Sequence, residues 1–330
     1  MLRLHEYRYH RPQSLAEALS LLAQYAGSAM PIGGGTDLMP NMKHRLFTPA
    51  HVVGLKQLPE LHAIEVRAGE LCIGAVETLS AVARNPLVQR YAPSLARAAG
   101  LVAGPQLRNM GTIGGNLCLD TRCTYYNQTW FWRSALGFCL KKDGDVCHVT
   151  KTGRKCVAAH SADTPPVLIT LDATVDLASP DGTRSVAVRD LFITDGIWNS
   201  VRQLGEILVR VRVPLPGPGV RAAFVKLRQR NAIDFPLLNV AVATALGPDD
   251  RIEWMRMVVS ALGARPREIA GLDAIVAGQT PSADLVRAVA ERAHAQCHPL
   301  TNIIVDADWR RAMVPVHVRR ALAASGFPAT

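Results

Sequence analysis

Apolar and polar residues recur along this chain with two periods, one typical of helices and one typical of strands. After Ser14, apolar side chains return every three to four residues, and Glu17 can complete a capping box with Ser14. Short apolar or alternating runs predict strands at 29–32, 51–55, 63–66, 70–74 and 207–213. Farther on, the pattern predicts three strands and then two helices, at 223–227, 238–246, 255–262, 282–295 and 309–324.

The pattern is lost between residues 118 and 161, where neither period is sustained. This segment holds five of the seven cysteines and six of the eighteen aromatic residues. From Arg122 to Lys155 it also carries seven Lys and Arg against two Asp, so about half of the net charge of +10 lies beside the cysteines. An irregular stretch of this length inside a compact domain indicates a function, disorder or a stapling ligand.

Composition excludes several protein classes. With 48% hydrophobic and 19% charged residues, the 330-residue chain has apolar material for about two to three domains and is not disordered as a whole. No apolar run reaches the roughly 18–20 residues of a membrane helix, and the first residues lack the apolar core of a signal peptide. We therefore expect a cytoplasmic protein without membrane contact, in which disulfides are not the default state of the cysteines.

Two glycine clusters lie in the first 115 residues of the chain, at Gly33–Gly35 and Gly111–Gly115. A glycine turn between a strand and a helix lets backbone N–H groups approach a phosphate closely. The first cluster follows a predicted strand, but it matches neither the Walker loop nor the usual Rossmann pattern. Taken alone, it is equally well explained as a tight turn that needs positive φ. The two clusters could hold one pyrophosphate if the fold brings them together.

Both clusters resemble the flavin-binding signatures of the FAD subunits of molybdenum hydroxylases. The resemblance covers nearly the whole chain and includes Ser161-Ala162-Asp163 and the segments around Glu206 and Lys226. It implies that FAD is a cofactor, held by residues of both glycine loops and by four positions elsewhere. The implied loop residues are Pro31, Ile32, Gly33, Gly34, Gly35, Thr36, Asp37, Leu38, Thr112, Ile113, Gly114, Gly115 and Asn116.

The four further positions have different implied roles. By the resemblance, Val102 lies beside the flavin, Asp163 hydrogen-bonds the cofactor, and Leu208 packs against it. Lys226 lies where a lysine of the family contacts FAD. From the residues alone, Asp163 is as readily the N-cap of a helix that begins at Thr164, and Lys226 is more readily a solvated strand residue.

Four cysteines of the irregular segment form a candidate metal-ligand set: Cys123, Cys139, Cys147 and Cys156. Four thiolates are the usual ligands of a [4Fe–4S] cluster and equally of a structural zinc site. Their spacing matches neither the bacterial ferredoxin pattern nor any Cys-x-x-Cys pair, so the residues alone leave iron–sulfur and zinc open. The other three thiols are expected to be small buried side chains, at Cys72, Cys118 and Cys297.

The irregular segment resembles one branch of the family, the FAD subunits of 4-hydroxybenzoyl-CoA reductases. The likeness lies in residues 120–128 and 139–144, and it implies that the four cysteines carry a [4Fe–4S] cluster. It further implies an electron-transfer subunit that relays electrons from reduced ferredoxin through the cluster and FAD. The implied partners are a [2Fe–2S] small subunit and a molybdopterin-containing large subunit, in a dimer of heterotrimers. Reductive dehydroxylation to benzoyl-CoA would take place on the large subunit, so no catalytic residue is assigned to this chain.

Two other functions stay open at this point. One is the FAD subunit of another molybdenum hydroxylase, with a cysteine loop stapled by zinc. The other is a nucleic-acid-binding module that uses the net charge of +10 and the aromatic residues interleaved with basic ones. No zinc-finger, helix-turn-helix or RNP pattern supports this last function, so we expect no nucleic-acid partner.

The resemblance implies an α+β fold in two parts. The first, residues 1–216, is a two-lobed FAD-binding domain of the molybdenum hydroxylase flavoprotein type. Its lobes are about 1–55 and 56–216, and the iron–sulfur insertion is about 118–160. The second part, residues 217–330, is a small domain with a three-stranded sheet and helices, expected to close over the flavin through Lys226.

Overall fold

The computed structural model describes residues 2–329, which form three β-sheets and twelve α-helices. The strands are β1 Arg8–His10, β2 Ala29–Ile32, β3 His51–Gly54, β4 Ile64–Arg67, β5 Glu70–Gly74, β6 Thr174–Ser179, β7 Gly182–Ala187, β8 Ile207–Pro214, β9 Val220–Leu227, β10 Leu238–Leu246, β11 Ile252–Ser260 and β12 Arg267–Glu268. The helices are α1 Leu15–Gln24, α2 Leu38–Lys43, α3 Leu79–Arg84, α4 Pro86–Tyr91, α5 Pro93–Leu101, α6 Pro105–Arg108, α7 Ile113–Leu117, α8 Trp130–Ala135, α9 Thr164–Thr170, α10 Asp273–Val276, α11 Ala283–Gln296 and α12 Ala307–Ala324.

The first sheet is parallel, with the strand order β1–β3–β2. Helix α1 contacts β2 and β3 and buries the predicted apolar stripe, which includes Leu19 and Leu22. The Ser14 hydroxyl caps this helix by accepting from Glu17 N, while the Glu17 carboxylate accepts from Gln13 N, one residue before the cap. Strand β2 leads directly into the first glycine loop, so this sheet positions that loop.

The second sheet is antiparallel, with the order β4–β5–β8–β6–β7. Side chains from its strands and from α3, α5 and α9 form one continuous apolar core. Phe224, Ala241 and Val258 of the third sheet belong to the same core, so the second and third sheets are joined through α5 and α9. The second glycine loop runs into α7 at the edge of this core.

The third sheet is antiparallel, with the order β12–β11–β10–β9. Strand β10 is buried along its whole length because Val240 and Val242 face α11 and α12, while Ala241 faces the core of the second sheet. Burial on both faces explains why this strand is a nearly continuous apolar run. The predicted three strands are present, and the two-residue β12 adds to them.

The predicted α+β architecture, with a flavoprotein-type first part and a small sheet-and-helix second part, is confirmed. Between α7 and α9 the chain is irregular except for the six-residue α8 and isolated bridges. Arg122 and Ala159 close the base of this cysteine segment with a backbone hydrogen bond in each direction, at 2.9 and 2.7 Å. No helix within residues 2–329 is long and apolar enough to cross a membrane.

Candidate functional site

The two glycine loops lie against each other. A Cβ added at Gly34 would stand 1.9 Å from the Met110 carbonyl oxygen, and one added at Gly33 would lie 3.0 Å from Thr112 Oγ1. The backbones of the two loops therefore pack directly on each other, and any side chain at position 34 would prevent this contact. The Thr112 hydroxyl accepts from Gly115 N at 3.0 Å and caps α7. The fold thus brings together two clusters whose contact the sequence could not establish.

A cleft of about 570 Å³ lies beside the paired loops. This volume falls within the roughly 300–1,000 Å³ of small-molecule and cofactor sites. The backbone N–H groups from Gly33 to Thr36 donate to no other backbone carbonyl within residues 2–329, so they are available to an anionic ligand. Most of the predicted cofactor residues line the cleft: Pro31, Ile32, Gly33, Gly34, Gly35, Thr36, Asp37, Leu38, Val102, Thr112, Gly115, Asn116 and Asp163.

Four predicted cofactor residues do not line the cleft. Ile113 and Leu208 are buried in the core of the second sheet. Gly114 packs so closely on the turn after β5 that an added Cβ would meet it at 2.8 Å. Lys226 does not line the cleft itself, but it pairs with Asp163, which does. These residues support the lining from behind, and direct contact between them and a cofactor stays a prediction.

Asp163 and Lys226 form a buried ion pair between the start of α9 and strand β9. Lys226 Nζ lies 2.6 Å from Asp163 Oδ2 and also donates to the Leu101 carbonyl at 3.1 Å. The second carboxylate oxygen accepts from Asn239 Nδ2 at 2.9 Å. Burial raises the pKa of Asp163, and Lys226 opposes that rise. The Asp163 side chain makes no N-cap hydrogen bond and that of Lys226 is 1% exposed, so neither the cap nor the solvated-strand explanation applies.

Arg122 connects the first glycine loop to the cysteine segment. Its Nη1 lies 3.2 Å from Asp37 Oδ1, and its guanidinium stands 3.9 Å from the centre of the Phe235 ring. Burial raises the pKa of Asp37 to about 6, against the opposing effect of Arg122. Asp37 also accepts from Asn41 Nδ2 at 2.9 Å, so its carboxylate is held at the cleft wall from two sides.

The four cysteines of the candidate ligand set converge on one place. Cys123, Cys139, Cys147 and Cys156 line a single small cavity, and all four are free thiols. Within residues 2–329, no three His, Cys, Asp or Glu side chains are grouped tightly enough to hold one metal ion.

Short local contacts shape the loops that carry these thiols. Cys123 N donates to Asn127 Oδ1 at 3.0 Å, and Cys156 N donates to Asp195 Oδ1 at 3.3 Å. Burial raises the pKa of the Cys123 thiol to about 11, and the neighbouring thiols add to that rise. A thiol in these surroundings becomes a thiolate readily only if a cation or metal joins it.

Three of the four sulfurs receive hydrogen bonds, that of Cys123 from the backbone N–H of Tyr125. Ala158 N donates to Cys156 Sγ at 3.4 Å. At Cys147, burial acts to raise the thiol pKa, but hydrogen bonds from Thr150 and from backbone N–H groups, including that of Val157, lower it below its usual value. Hydrogen bonds to a sulfur favour its charged form, which is the form that binds metal.

Much of the basic charge of the segment is used internally. The buried Arg133 pairs with Asp143 at 3.1 Å, and Lys141, 3% exposed, pairs with Asp120 at 2.7 Å. These cations hold the irregular segment together, so they are not available to a partner. The exposed cations of the segment are Lys151, Arg154 and Lys155.

Several residues that line the cleft were not predicted from the sequence. Trp198 and Arg202 line the cleft from the loop before β8, and Ile233 and Phe235 line it from the loop between β9 and β10. Cys118, expected to be buried, is instead exposed and lines the cleft, whereas the other two non-ligand thiols are buried as expected. These residues lie in irregular loops, where no side-chain period or sequence motif indicates that they line a binding site.

Comparison with known proteins places the chain in a family. Residues 5–216 match the FAD binding domain in molybdopterin dehydrogenase, and residues 222–325 match the CO dehydrogenase flavoprotein C-terminal domain. The chain belongs to the molybdopterin dehydrogenase FAD-binding family. The predicted FAD cofactor and the predicted family of molybdenum hydroxylase FAD subunits are thereby confirmed.

Relatives in this family resemble the chain over most of their length. The medium chain of carbon monoxide dehydrogenase from Hydrogenophaga pseudoflava is 28% identical over 97% of this chain and 96% of the relative. The FAD-binding subunit of an aldehyde oxidoreductase from Escherichia coli is 33% identical over 81% of this chain and 85% of the relative. A solved structure of the Hydrogenophaga pseudoflava carbon monoxide dehydrogenase matches with a TM-score of 0.81 and 27% identity, over 98% of both chains.

Proposed function

We propose that this family member is the electron-transfer subunit of a molybdenum-containing 4-hydroxybenzoyl-CoA reductase. In this proposal it relays electrons from reduced ferredoxin, through a [4Fe–4S] cluster and FAD, toward a [2Fe–2S] small subunit and a molybdopterin-containing large subunit. The complex is a dimer of heterotrimers, and its large subunit forms benzoyl-CoA by reductive dehydroxylation. The observation that carries the proposal is the convergence of four thiols on one cavity within an FAD-binding subunit.

The spacing and surroundings of the four thiols suit an iron–sulfur cluster. Four thiolates are the usual ligands of either a [4Fe–4S] cluster or a structural zinc ion, but zinc sites more often use close cysteine pairs, and the four candidate ligands contain none. The N–H donors to Cys147 and Cys156, and the ammonium of Lys141 near Cys156, suit a cofactor that carries net negative charge.

The residues of the cleft can bind and orient the flavin. When bound, FAD gives or accepts one or two electrons and so connects one-electron with two-electron carriers. Free N–H groups of the first glycine loop suit the pyrophosphate. Asp163, fixed by Lys226, presents a positioned carboxylate, while Trp198 and Phe235 line the cleft with aromatic surface that can pack against a bound ring system.

The surface of the cysteine segment suits an acidic electron donor. Lys151, Arg154 and Lys155 are exposed. On helix α8 of the same segment, the side chains of Trp130 and Phe131 are 46% and 78% exposed. Cations steer an acidic partner to the surface, and aromatic side chains add contact area once it is docked.

Metal and flavin analysis of the complex purified without oxygen tests the cofactor assignment. We expect about four iron and four acid-labile sulfide per FAD, together with a broad brown absorbance beyond the flavin bands. Cys147→Ala should lose most of the iron and keep FAD, whereas Cys297→Ala, a buried thiol outside the segment, should keep both. Iron-free wild-type protein that retains FAD would overturn the assignment.

A turnover assay of the same complex tests the substrate. Reduced ferredoxin and 4-hydroxybenzoyl-CoA should together yield benzoyl-CoA, and omission of either should abolish its formation. A complex that contains the cluster but forms no benzoyl-CoA would reject the substrate and leave the cofactor assignment standing.

A second candidate function is favoured by the relatives, whose names refer to carbon monoxide and aldehyde enzymes. In this case the chain is the FAD subunit of another molybdenum hydroxylase, its cysteine loop is stapled by zinc, and electrons leave through FAD to NAD or a quinone. One zinc per FAD in place of iron would support this candidate over the first.

A further inference from the structure

The C-terminal part of the chain contributes one buried side chain to the cysteine segment. Asn302 lies in the loop between α11 and α12 and is fully buried. Its Nδ2 donates to the Val157 carbonyl at 2.6 Å, and its backbone carbonyl accepts from Thr124 N at 2.9 Å. Thr124 follows Cys123 and Val157 follows Cys156 in the sequence. Asn302 therefore ties both ends of the segment, beside the first and last thiols of the set, to one point.

Arg310 holds Asn302 in place from the first turns of α12. Its guanidinium is fully buried, and its Nη2 donates to Asn302 Oδ1 at 3.3 Å. The same group donates to the backbone carbonyls of Ala261, at 3.3 Å, and Leu300. All three acceptors are carbonyl oxygens, from the end of β11 and from the loop itself. The guanidinium thus fastens the loop to the third sheet, so the side chain of Asn302 has a defined position.

The hydrogen bond from Asn302 to Val157 affects the Cys156 sulfur through a single peptide group. The Val157 carbonyl and the Ala158 N–H belong to the same peptide group, which is planar and rigid. Asn302 holds the carbonyl end of this group, and the N–H end donates to Cys156 Sγ at 3.4 Å. Fixing one end of the plane therefore aims the other end at the sulfur.

We propose that Asn302, held by Arg310, is a positioning residue for the cluster ligand Cys156; this rests on the proposed function. Hydrogen bonds to ligand sulfurs help to set the reduction potential and the stability of an iron–sulfur cluster. Loss of the Asn302 amide frees the peptide to rotate and weakens the N–H contact to sulfur. The potential of the cluster then becomes more negative, and the cluster is lost more easily.

Two substitutions separate this role from simple destabilisation. Asn302→Asp keeps an acceptor for Arg310 but removes the donor to Val157 and adds a negative charge, while Asn302→Ala removes the amide without adding charge. His317→Ala is the matched control, because His317 is buried on the same helix as Arg310 and contacts the Met313 carbonyl instead of the cysteine segment. The whole complex is used in each case.

The readouts are FAD content, iron per FAD, the EPR spectrum of the reduced cluster, its potential, and the rate of bleaching by an iron chelator. Both Asn302 variants should keep FAD, shift the potential to a more negative value, and bleach about tenfold faster than wild type. His317→Ala should behave as wild type in every cluster readout. If the Asn302→Ala protein also loses FAD, that substitution has disrupted the fold. The result for the Asn302→Asp protein then tests the positioning role.

The outcomes separate the two proposals. Wild-type protein without iron would reject the proposed function. A wild-type cluster whose spectrum, potential and bleaching rate are unchanged in Asn302→Asp would reject the positioning role alone. Equal effects of the Asn302 and His317 substitutions would reject it as well, since they would reflect general loosening of the C-terminal region.

Discussion

At the scale of single residues, the flavin cleft depends on buried polar groups whose partners lie far away in the chain. Asp163 could be named from its sequence context, but its partner Lys226 is 63 positions away. No local pattern links the two, and for that reason the sequence left a helix cap and a solvated lysine as alternatives. In the fold they form one buried pair, and the pair supports a carboxylate at the cleft wall.

Replacing Lys226 by Met should destabilise the protein strongly. The substitution leaves the Asp163 carboxylate buried without its cation, and breaking a buried pair in this way costs about 3–5 kcal/mol. The urea midpoint of the FAD-free protein, followed by tryptophan fluorescence, should fall accordingly. The double variant Asp163→Asn/Lys226→Met should recover most of the loss, because the uncompensated charge is gone. If the Lys226→Met protein is as stable as wild type, Asp163 and Lys226 do not form a buried ion pair that stabilises the fold.

His160 should make the protein less stable in mild acid. It is fully buried, neither ring nitrogen has a hydrogen-bond partner in the part of the chain that the structure describes, and burial lowers its pKa to about 3. An unfolded histidine binds a proton near pH 6.5, whereas folded His160 does not. Its contribution to stability is therefore full above about pH 6.5 and falls by about 1.4 kcal/mol per pH unit below it.

The variant His160→Phe keeps a ring against Phe192, whose centre lies 4.7 Å away, and removes the proton uptake. Unfolding free energies of both proteins, measured from about pH 7 to about pH 5, should diverge, with wild type losing more as the pH falls. Parallel curves would show that His160 is already protonated or exposed in the folded protein.

At the scale of elements, the two glycine loops form one structure. Gly35 has a φ of +73°, so the tight-turn explanation holds there, while Gly34 is required by the close approach of Met110. The local tight-turn explanation is therefore confirmed for Gly35, whereas Gly34 is required by a contact with a distant segment of the chain. The pairing of the loops follows from the packing of the first sheet against the second, and therefore could not be inferred from either loop.

Gly34→Ala should abolish FAD binding. The new methyl group would overlap the Met110 carbonyl oxygen, which would lie 1.9 Å away, and would push the loops apart. Flavin per protein and flavin affinity, measured by fluorescence quenching, should both fall, whereas Gly217→Ala, with open space around its added Cβ, should match wild type. Normal flavin content in Gly34→Ala would mean that the loops can separate without loss of the site.

At the scale of the whole molecule, the cysteine segment is a surface module held by the rest of the fold. Its base is closed by Arg122 and Ala159, its ends are tied to Asn302, and its charges are partly neutralised within it. The net charge of the segment, counted from the sequence, is larger than the charge that is exposed to a docking partner. Only the three exposed cations, at positions 151, 154 and 155, remain for docking of an electron donor.

Under the proposed function, reduction of the complex by ferredoxin should therefore depend on salt. Exposed charges accelerate association and are screened over about 10 Å at 0.1 M ionic strength. The value of kcat/KM for ferredoxin should fall as salt rises, and the triple variant Lys151→Ser/Arg154→Ser/Lys155→Ser should be slower and less sensitive to salt. Arg90→Ser, at the end of α4 and outside the segment, serves as the control. A salt response unchanged by the triple variant would place donor docking elsewhere.

Local pattern in the sequence predicted the strands of the third sheet, the two glycine clusters and the four candidate thiols, because these follow from side-chain period and residue type. The α+β class and the flavin-binding role of the glycine loops came from the resemblance of the sequence to a known family. Only the tertiary structure decided that the loops touch, that the thiols share one cavity and that Asp163 pairs with Lys226. The partners in each case are distant in the chain, and their approach is set by how sheets and helices pack, which no short pattern records.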